Sequence, residues 1–161
     1  DDDLPVVVSY CDYYMTWDYL GFLELIKEKD YDGAIPCYTG FHPHLIPKNN
    51  LYASCLVGGD DELLEIREKF SFEENKTKAR HSPGVYFFKS GQILKRYCSM
   101  LVESGETLGG EYYVSLVYNR MIEDGLRVVA PANVSKFCQW GTPNDMEEYL
   151  YWTNTILKAR E

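Results

Sequence analysis

Asp12 follows directly on Val6–Tyr10, a short β-branched apolar run that reads as a buried strand. In open α/β sheets ligands bind beyond the carboxyl ends of strands, so a carboxylate at that point is placed to hold Mg²⁺. The same residue also suits a turn or a cap. Glu68-Lys69 closes another apolar run, where a lysine can neutralise a phosphate and where a charged pair also serves as a solvated strand end. Gly84 opens a strand after Pro83, and glycine is needed where backbone turns sharply or lets a ligand come close. Gly109-Gly110-Glu111 precedes an amphipathic stretch, so Glu111 suits a helix N-terminus and becomes a hydroxyl acceptor only if a ligand lies against it.

Other chemistries find less support. Phe41-His42-Pro43-His44 offers two imidazoles, but Pro43 prevents a helical i, i+4 pair and no third ligand lies nearby in sequence. A loop that contacts substrate or packs on a sheet is the better reading. Asp1-Asp2-Asp3 matches the D-x-D metal pattern of many glycosyltransferases but precedes a strand, which reads as a solvated acidic end. There is no G-x-S-x-G, no P-loop and no C-x-x-C. The five cysteines (Cys11, Cys37, Cys55, Cys98, Cys138) are scattered, mostly in apolar stretches, and read as buried, reduced thiols of a cytoplasmic protein. In such a compartment Asn75-Lys76-Thr77 and Asn133-Val134-Ser135 match the glycosylation pattern by chance. With 16 Lys+Arg against 25 Asp+Glu, the net charge of −9 argues against nucleic-acid binding and leaves a phosphorylated small molecule open. No apolar run has the length of a membrane span.

The elements that must position these residues follow from pattern. The 161 residues, 45% hydrophobic and 25% charged, suit a single domain over 1–161 with its own core. Thr16 is expected to cap a helix whose Leu20, Leu23 and Ile26 share a face. Strands are predicted at Ala34–Tyr38 and Val85–Phe88, and a hairpin joins Leu51–Val57 to Leu63–Glu68 across Gly58-Gly59-Asp60-Asp61. Phe70–Arg80 reads as a loop. Helices are expected at Ile93–Val102 and Tyr112–Glu123, the second closed by Gly125. Strands at Arg127–Ala130 and Lys136–Trp140 then precede a last helix, with Thr142 as N-cap, Pro143 at the first position and Asp145 reaching back. That order predicts an α/β fold: a mixed sheet with helices on both faces and antiparallel additions.

Val8-Ser9-Tyr10-Cys11-Asp12, Glu65-Ile66-Arg67-Glu68-Lys69, His81-Ser82-Pro83-Gly84-Val85-Tyr86, Gly110-Glu111 and Trp140-Gly141-Thr142-Pro143 occur in the order seen in one family. Together they resemble the sugar-nucleotide pyrophosphorylases, the NTP-transferase (nucleotidyltransferase) superfamily that makes nucleotide-activated sugars and alcohols. The last segment is similar to that family's "GTP" turn, and the variant resembled most is the group linked to capsule and surface-polysaccharide synthesis.

The resemblance implies a Rossmann-like fold of the GT-A type. It implies that Asp12 binds Mg²⁺ and that Lys69 faces the phosphate of a sugar phosphate, both with catalytic roles. Gly84 would bring backbone close to the sugar and Glu111 would accept from its hydroxyls. Gln139 stands where many members carry a second metal-binding aspartate, which implies water in place of that ligand. In the implied reaction a sugar 1-phosphate oxygen attacks the α-phosphorus of an NTP and pyrophosphate leaves, with positioning and charge neutralisation supplying the catalysis. The family begins with a strand and a Gly-rich, Arg/Lys-bearing loop that cradles the triphosphate. No such segment precedes Asp1, so the sequence is expected to be the C-terminal portion of a nucleotidyltransferase and to release no pyrophosphate by itself. Its first strand would then keep an open edge, to be covered by the missing N-terminal segment or in a homo-oligomer. Two other readings stand beside this one: a GT-A glycosyltransferase, and a non-catalytic sugar-phosphate-binding or assembly domain.

Overall fold

The computed structural model describes residues 2–159. The chain runs β1 (Val6–Ser9), β2 (Tyr13–Trp17), α1 (Tyr19–Lys29), β3 (Gly33–Ala34), β4 (Ser54–Val57), β5 (Leu63–Arg67), β6 (Arg80–His81), β7 (Val85–Phe88) and α2 (Gly91–Ser104). It continues through α3 (Val117–Glu123), β8 (Val128–Val129), β9 (Val134–Gln139) and α4 (Pro143–Lys158). Short 3-10 turns fall in the connections, one of them at Lys76–Lys78 inside the expected loop.

One sheet has the order β1-β7-β3-β8, with β3 and β8 parallel and the other pairs antiparallel. Its register explains the layers. Phe88 pairs with Gly33 and Gly33 with Val128, whereas Phe87 pairs with Ala34 and Ala34 with Val129. Alternate residues of a strand point to opposite faces. Phe88 and Val128 accordingly pack with Tyr97 and Leu101 of α2 and Tyr118 and Met121 of α3. Phe87, Ala34 and Val129 pack with Phe22 and Ile26 of α1 on the other side. Helices therefore cover both faces of a mixed sheet, as the element order predicts. Each fully buried large side chain here contributes about 1.5–3 kcal/mol.

Two smaller sheets, β2-β9 and β5-β4-β6, adjoin the first. Tyr38 joins them, its backbone bridging both His81 and Val134. The Ala34–Tyr38 run is regular strand only at Gly33–Ala34. Its Ile35 and Cys37 N–H groups still donate to Val129 and Pro131 carbonyls, at 2.9 and 2.8 Å, before Tyr38 crosses to the neighbouring sheets.

Some local expectations are corrected. Thr16 caps nothing: it lies in β2, paired with β9, and the N-cap of α1 is Asp18, whose carboxylate accepts from the Gly21 N–H at 3.0 Å. The first strand is not buried, since Val7 is exposed, although its place at an open edge of the sheet is the expected one. The expected helix over Tyr112–Glu123 starts late, with a 3-10 turn at Val114–Leu116 ahead of α3. Tyr113 remains extended and Ser115 donates its hydroxyl to Glu68, so tertiary contacts take residues that local pattern assigns to helix. Asp2 pairs with Lys95 of α2 at 2.6 Å, consistent with an acidic surface segment, while Asp1 lies outside the described residues. All five thiols are free, but only Cys37 and Cys55 are buried: Cys98 and Cys138 are half-buried, and Cys11, in the turn after β1, is exposed.

Local signals read correctly include the hairpin of β4 and β5. The end of α3 is another: Gly125, at φ +82, donates to the Ile122 carbonyl and Leu126 to that of Met121. Thr142 and Asp145 form the expected capping box at α4, the Thr142 hydroxyl accepting from Asp145 N–H and the Asp145 carboxylate from Thr142 N–H. Thr142→Ala is expected to cost about 1 kcal/mol, a fall in Tm of about 2–4 °C measurable by thermal denaturation. No helix among the described residues is long and apolar enough to cross a membrane.

Candidate functional site

The turn after β1, the end of β5, the turn before β7 and the segment leading to α3 converge on one cleft of about 260 Å³. Asp12, Lys69 and Gly84 line it together, although 57 and 72 residues separate the second and third from the first. Tyr10, Tyr13, Tyr52, Tyr86 and Tyr113 complete most of the wall, with Glu68 and Phe137. Glu68 and Lys69 are consecutive, yet both reach the cleft. Lys69 adopts the left-handed backbone conformation, φ +52, which breaks the strand alternation that would send one of them away.

The charges in the cleft are organised in pairs. Burial pushes the Glu68 carboxyl above its ordinary range, opposed by the hydrogen bond from Ser115 and by the neighbouring Lys69 charge. The Tyr113 hydroxyl chiefly, then Glu111 and Glu68, hold the Lys69 ammonium above its ordinary value, so Lys69 is a cation throughout the neutral range. Its Nζ stands 5.4 Å from the Tyr113 ring centre. Burial is the main cause raising Tyr10, Tyr13, Tyr52 and Tyr86, which keeps their hydroxyls protonated and able to donate.

Glu111 is not part of the cleft wall. It stands behind Tyr113, accepting that hydroxyl at 2.5 Å, and so reaches Lys69 through the tyrosine. Gly84 lines the cleft, but its immediate neighbour is Tyr10. A Cβ on Gly84 would meet the Tyr10 ring at 2.2 Å, φ there is +87, and Tyr10 N–H donates to the Gly84 carbonyl at 3.1 Å. The close approach that glycine permits is therefore taken by the chain itself.

Gln139 faces elsewhere. Its Oε1 accepts from Tyr52 and its Nε2 donates to Asp145 at 2.7 Å, so both ends of the amide are engaged. It lines a separate groove of about 430 Å³ between Pro43–Pro47, β9 and α4. Phe137 and Leu51 are shared by the two cavities and form the wall between them. The Asp145 carboxyl is held below its ordinary range: burial pulls it upward, and the hydrogen bonds from Thr142 and Gln139 outweigh that.

No group of three or more His, Cys, Asp or Glu able to hold a metal exists among the described residues. The Asp12 carboxylate has no hydrogen-bond or ion-pair partner among them, and it points where a side chain on Gly141 would sit, 3.1 Å from that missing Cβ. A single free carboxylate in such a space suits Mg²⁺, which keeps several waters and takes its remaining ligands from substrate phosphates. The donor set fits a substrate-borne Mg²⁺ and does not form an all-protein cage. His42 and His44 pack around Tyr38 instead, with His44 Nε2 at 2.8 Å from its hydroxyl.

The tyrosine wall escaped sequence reasoning. Its signal was present in the count of 14 tyrosines and in Tyr10 and Tyr13 flanking Asp12.

No family model and no curated protein matches the chain. Solved structures do. The nucleoside-diphosphate-sugar pyrophosphorylase from Vibrio cholerae RC9 superposes with a TM-score of 0.65 at 17% identity, covering 91% of this chain and 56% of that one. A Bacillus anthracis protein assigned as a glucose-1-phosphate thymidylyltransferase, solved in complex with a sucrose, gives 0.63 at 14% identity, covering 91% and 53%. The chain thus has a Rossmann-like α/β fold shared with sugar nucleotidyltransferases, and it spans little more than half the length of these two proteins.

Proposed function

We propose that these residues form the sugar-phosphate side of a sugar-phosphate nucleotidyltransferase, which joins an NTP and a sugar 1-phosphate into a nucleotide sugar and pyrophosphate. The observation that carries the reading is the meeting of Asp12, Lys69 and Gly84 in one cleft on that fold. The Lys69 ammonium would pair with the sugar phosphate, and the protonated hydroxyls of Tyr10, Tyr13 and Tyr86, whose protons are not committed to Gln139 or Glu111 as those of Tyr52 and Tyr113 are, would donate to its oxygens and to the ring hydroxyls. Glu111 would act through Tyr113, keeping the ring and the lysine in place. Mg²⁺ on Asp12 would neutralise phosphate charge. The attacking phosphate oxygen needs only to be held in line, so orientation by Lys69 and the tyrosines is the main contribution of this cleft.

The cleft brings one ammonium against two carboxylates, Asp12 and Glu68, which is poor company for a triphosphate. We therefore assign the triphosphate to residues outside these 161. We also assign the product to surface-polysaccharide synthesis in the cytoplasm, in line with the motif resemblance. A GT-A glycosyltransferase would need a D-x-D after a central strand, where only Asp12 stands.

The test is calorimetric titration with a panel of hexose 1-phosphates in Mg²⁺. Lys69→Gly suits the left-handed backbone and removes the ammonium with its exposed side chain, so folding is expected to be intact and affinity to fall on the order of tenfold or more. Asp12→Asn is expected to abolish the gain in affinity that Mg²⁺ brings, as chelation does for the parent chain. Absence of binding by every sugar phosphate, or equal binding by Lys69→Gly, would overturn the assignment.

A further inference from the structure

Two carboxylates in the tyrosine-walled cleft, Asp12 and Glu68, have no ion-pair partner among the described residues. The Mg²⁺ assigned above would answer Asp12, and Glu68 is left over. Its half-buried carboxylate accepts from the Ser115 hydroxyl alone. Lys69, next to it in the chain, stands against the Tyr113 ring instead, its Nζ 5.4 Å from the ring centre. A sugar phosphate that arrives with Mg²⁺ carries little net charge, so the cleft would keep the uncompensated negative charge of Glu68. A carboxylate withdrawn from water is stabilised by a cation set against it.

The rings around Glu68 point to the kind of cation. Tyr10 and Tyr86 meet edge to face, ring centres 6.4 Å apart and planes at 89°. Both stand near the carboxylate: after burial, the Glu68 charge is the next cause holding their hydroxyls above the ordinary value. Tyr52 and Tyr113 direct their hydroxyls outside the wall, to Gln139 and Glu111, so what they lend the cleft is ring surface, as Phe137 does. Crossed aromatic rings beside a carboxylate suit an ammonium group, which both the ring faces and the carboxylate attract. A sugar hydroxyl could donate to Glu68 but would leave its charge unmatched. We propose that the phosphate compound bound here carries an ammonium group, primary or quaternary, seated between Glu68 and the corner formed by Tyr10 and Tyr86, with its phosphate at Lys69. The substrate class is a zwitterionic phosphate monoester, either an amino sugar 1-phosphate or an amino-alcohol phosphate. The inference rests on the phosphate role proposed for Lys69.

Calorimetry on the 161-residue chain, at neutral pH in Mg²⁺, compares two matched pairs of probes. Glucosamine 1-phosphate is set against glucose 1-phosphate, and phosphocholine against its uncharged tert-butyl analogue. In one pair the ammonium member is expected to bind about tenfold tighter or more, and that pair identifies the amino sugar or the amino alcohol as the source. Glu68→Gln keeps the shape and an acceptor for Ser115, and is expected to bring the ratio within that pair close to one. Tyr10→Leu, at a half-exposed position whose fold circular dichroism checks, is expected to lower the ratio a few-fold by removing one ring face. Equal affinities within both pairs would overturn the inference and leave the Lys69 assignment standing. Binding of phosphocholine with no response to either sugar phosphate would sustain the ammonium site and overturn the sugar reading. No binding by any of the four probes would overturn both. A ratio indifferent to Glu68→Gln and to Tyr10→Leu would remove the ammonium from this corner of the cleft.

Discussion

Taking the protein from pH 7 to pH 5 is expected to remove about 2 kcal/mol of stability through His44 alone. His44 is 8% exposed and hydrogen-bonded to the buried Tyr38 hydroxyl. Burial first, then the neighbouring His42 and His81, lower it from 6.5 to about 3, with Asp145 acting weakly in the other direction. In the unfolded chain it titrates near 6.5, so below that pH the unfolded state takes up a proton that the folded state refuses. The contribution is complete above 6.5 and is lost progressively down to about 3. Burial also lowers His42 and His81, and they act in the same direction. Glu68, held above its ordinary value, opposes them at the acid end of the range. Urea unfolding at pH 7, 6 and 5 reads the effect, and His44→Gln is expected to flatten the dependence by about 2 kcal/mol over that interval. Equal slopes for the two proteins would mean that His44 takes up its proton in the fold as readily as in the unfolded chain.

Gly84→Ala is expected to cost about 2 kcal/mol or more, lowering Tm by about 4–8 °C. Two causes act together: a φ of +87 that a side chain disfavours, and a Tyr10 ring carbon 2.2 Å from the new Cβ. Tyr10 must swing aside, and because it walls the cleft, sugar-phosphate affinity is expected to fall with it. Tyr10→Ala removes the collision and leaves the backbone cost. The double variant is therefore expected to be more stable than the sum of the single effects predicts, by about 1 kcal/mol. Strict additivity would show that the ring does not stand against Gly84.

The capping box at α4, the hairpin between β4 and β5 and the closing turn at Gly125 were legible because each is chemistry within a few residues of itself. The alternation of faces in Val85–Phe88 and Val128–Val129 is of the same kind, and the element order that follows from such signals determines a mixed sheet with helices on both faces. The motif order also singled out Asp12, Lys69 and Gly84, which do share a cleft. Strand β2 was hidden: Tyr13, Met15 and Trp17 alternate inward, but five residues before a helix offer too little pattern to separate a strand from a helix entry. Only pairing with β9, more than a hundred residues away, makes it a strand.

Where side chains point was decided by tertiary structure alone. Gln139 turned toward Tyr52 and Asp145 because β9 sets its face by register, and a one-residue difference would have sent it to the other side. Glu111 stands behind Tyr113 because the segment before α3 stays extended. The five tyrosines form one wall because strands of two different sheets (Tyr13 of β2, Tyr86 of β7) and three connecting segments (Tyr10, Tyr52, Tyr113) deliver them to the same point. His81 joins His42 and His44 through the bridge at Tyr38. Contacts between distant segments are the sum of many small packing and pairing terms, and no short stretch of sequence carries enough of them to be read in advance.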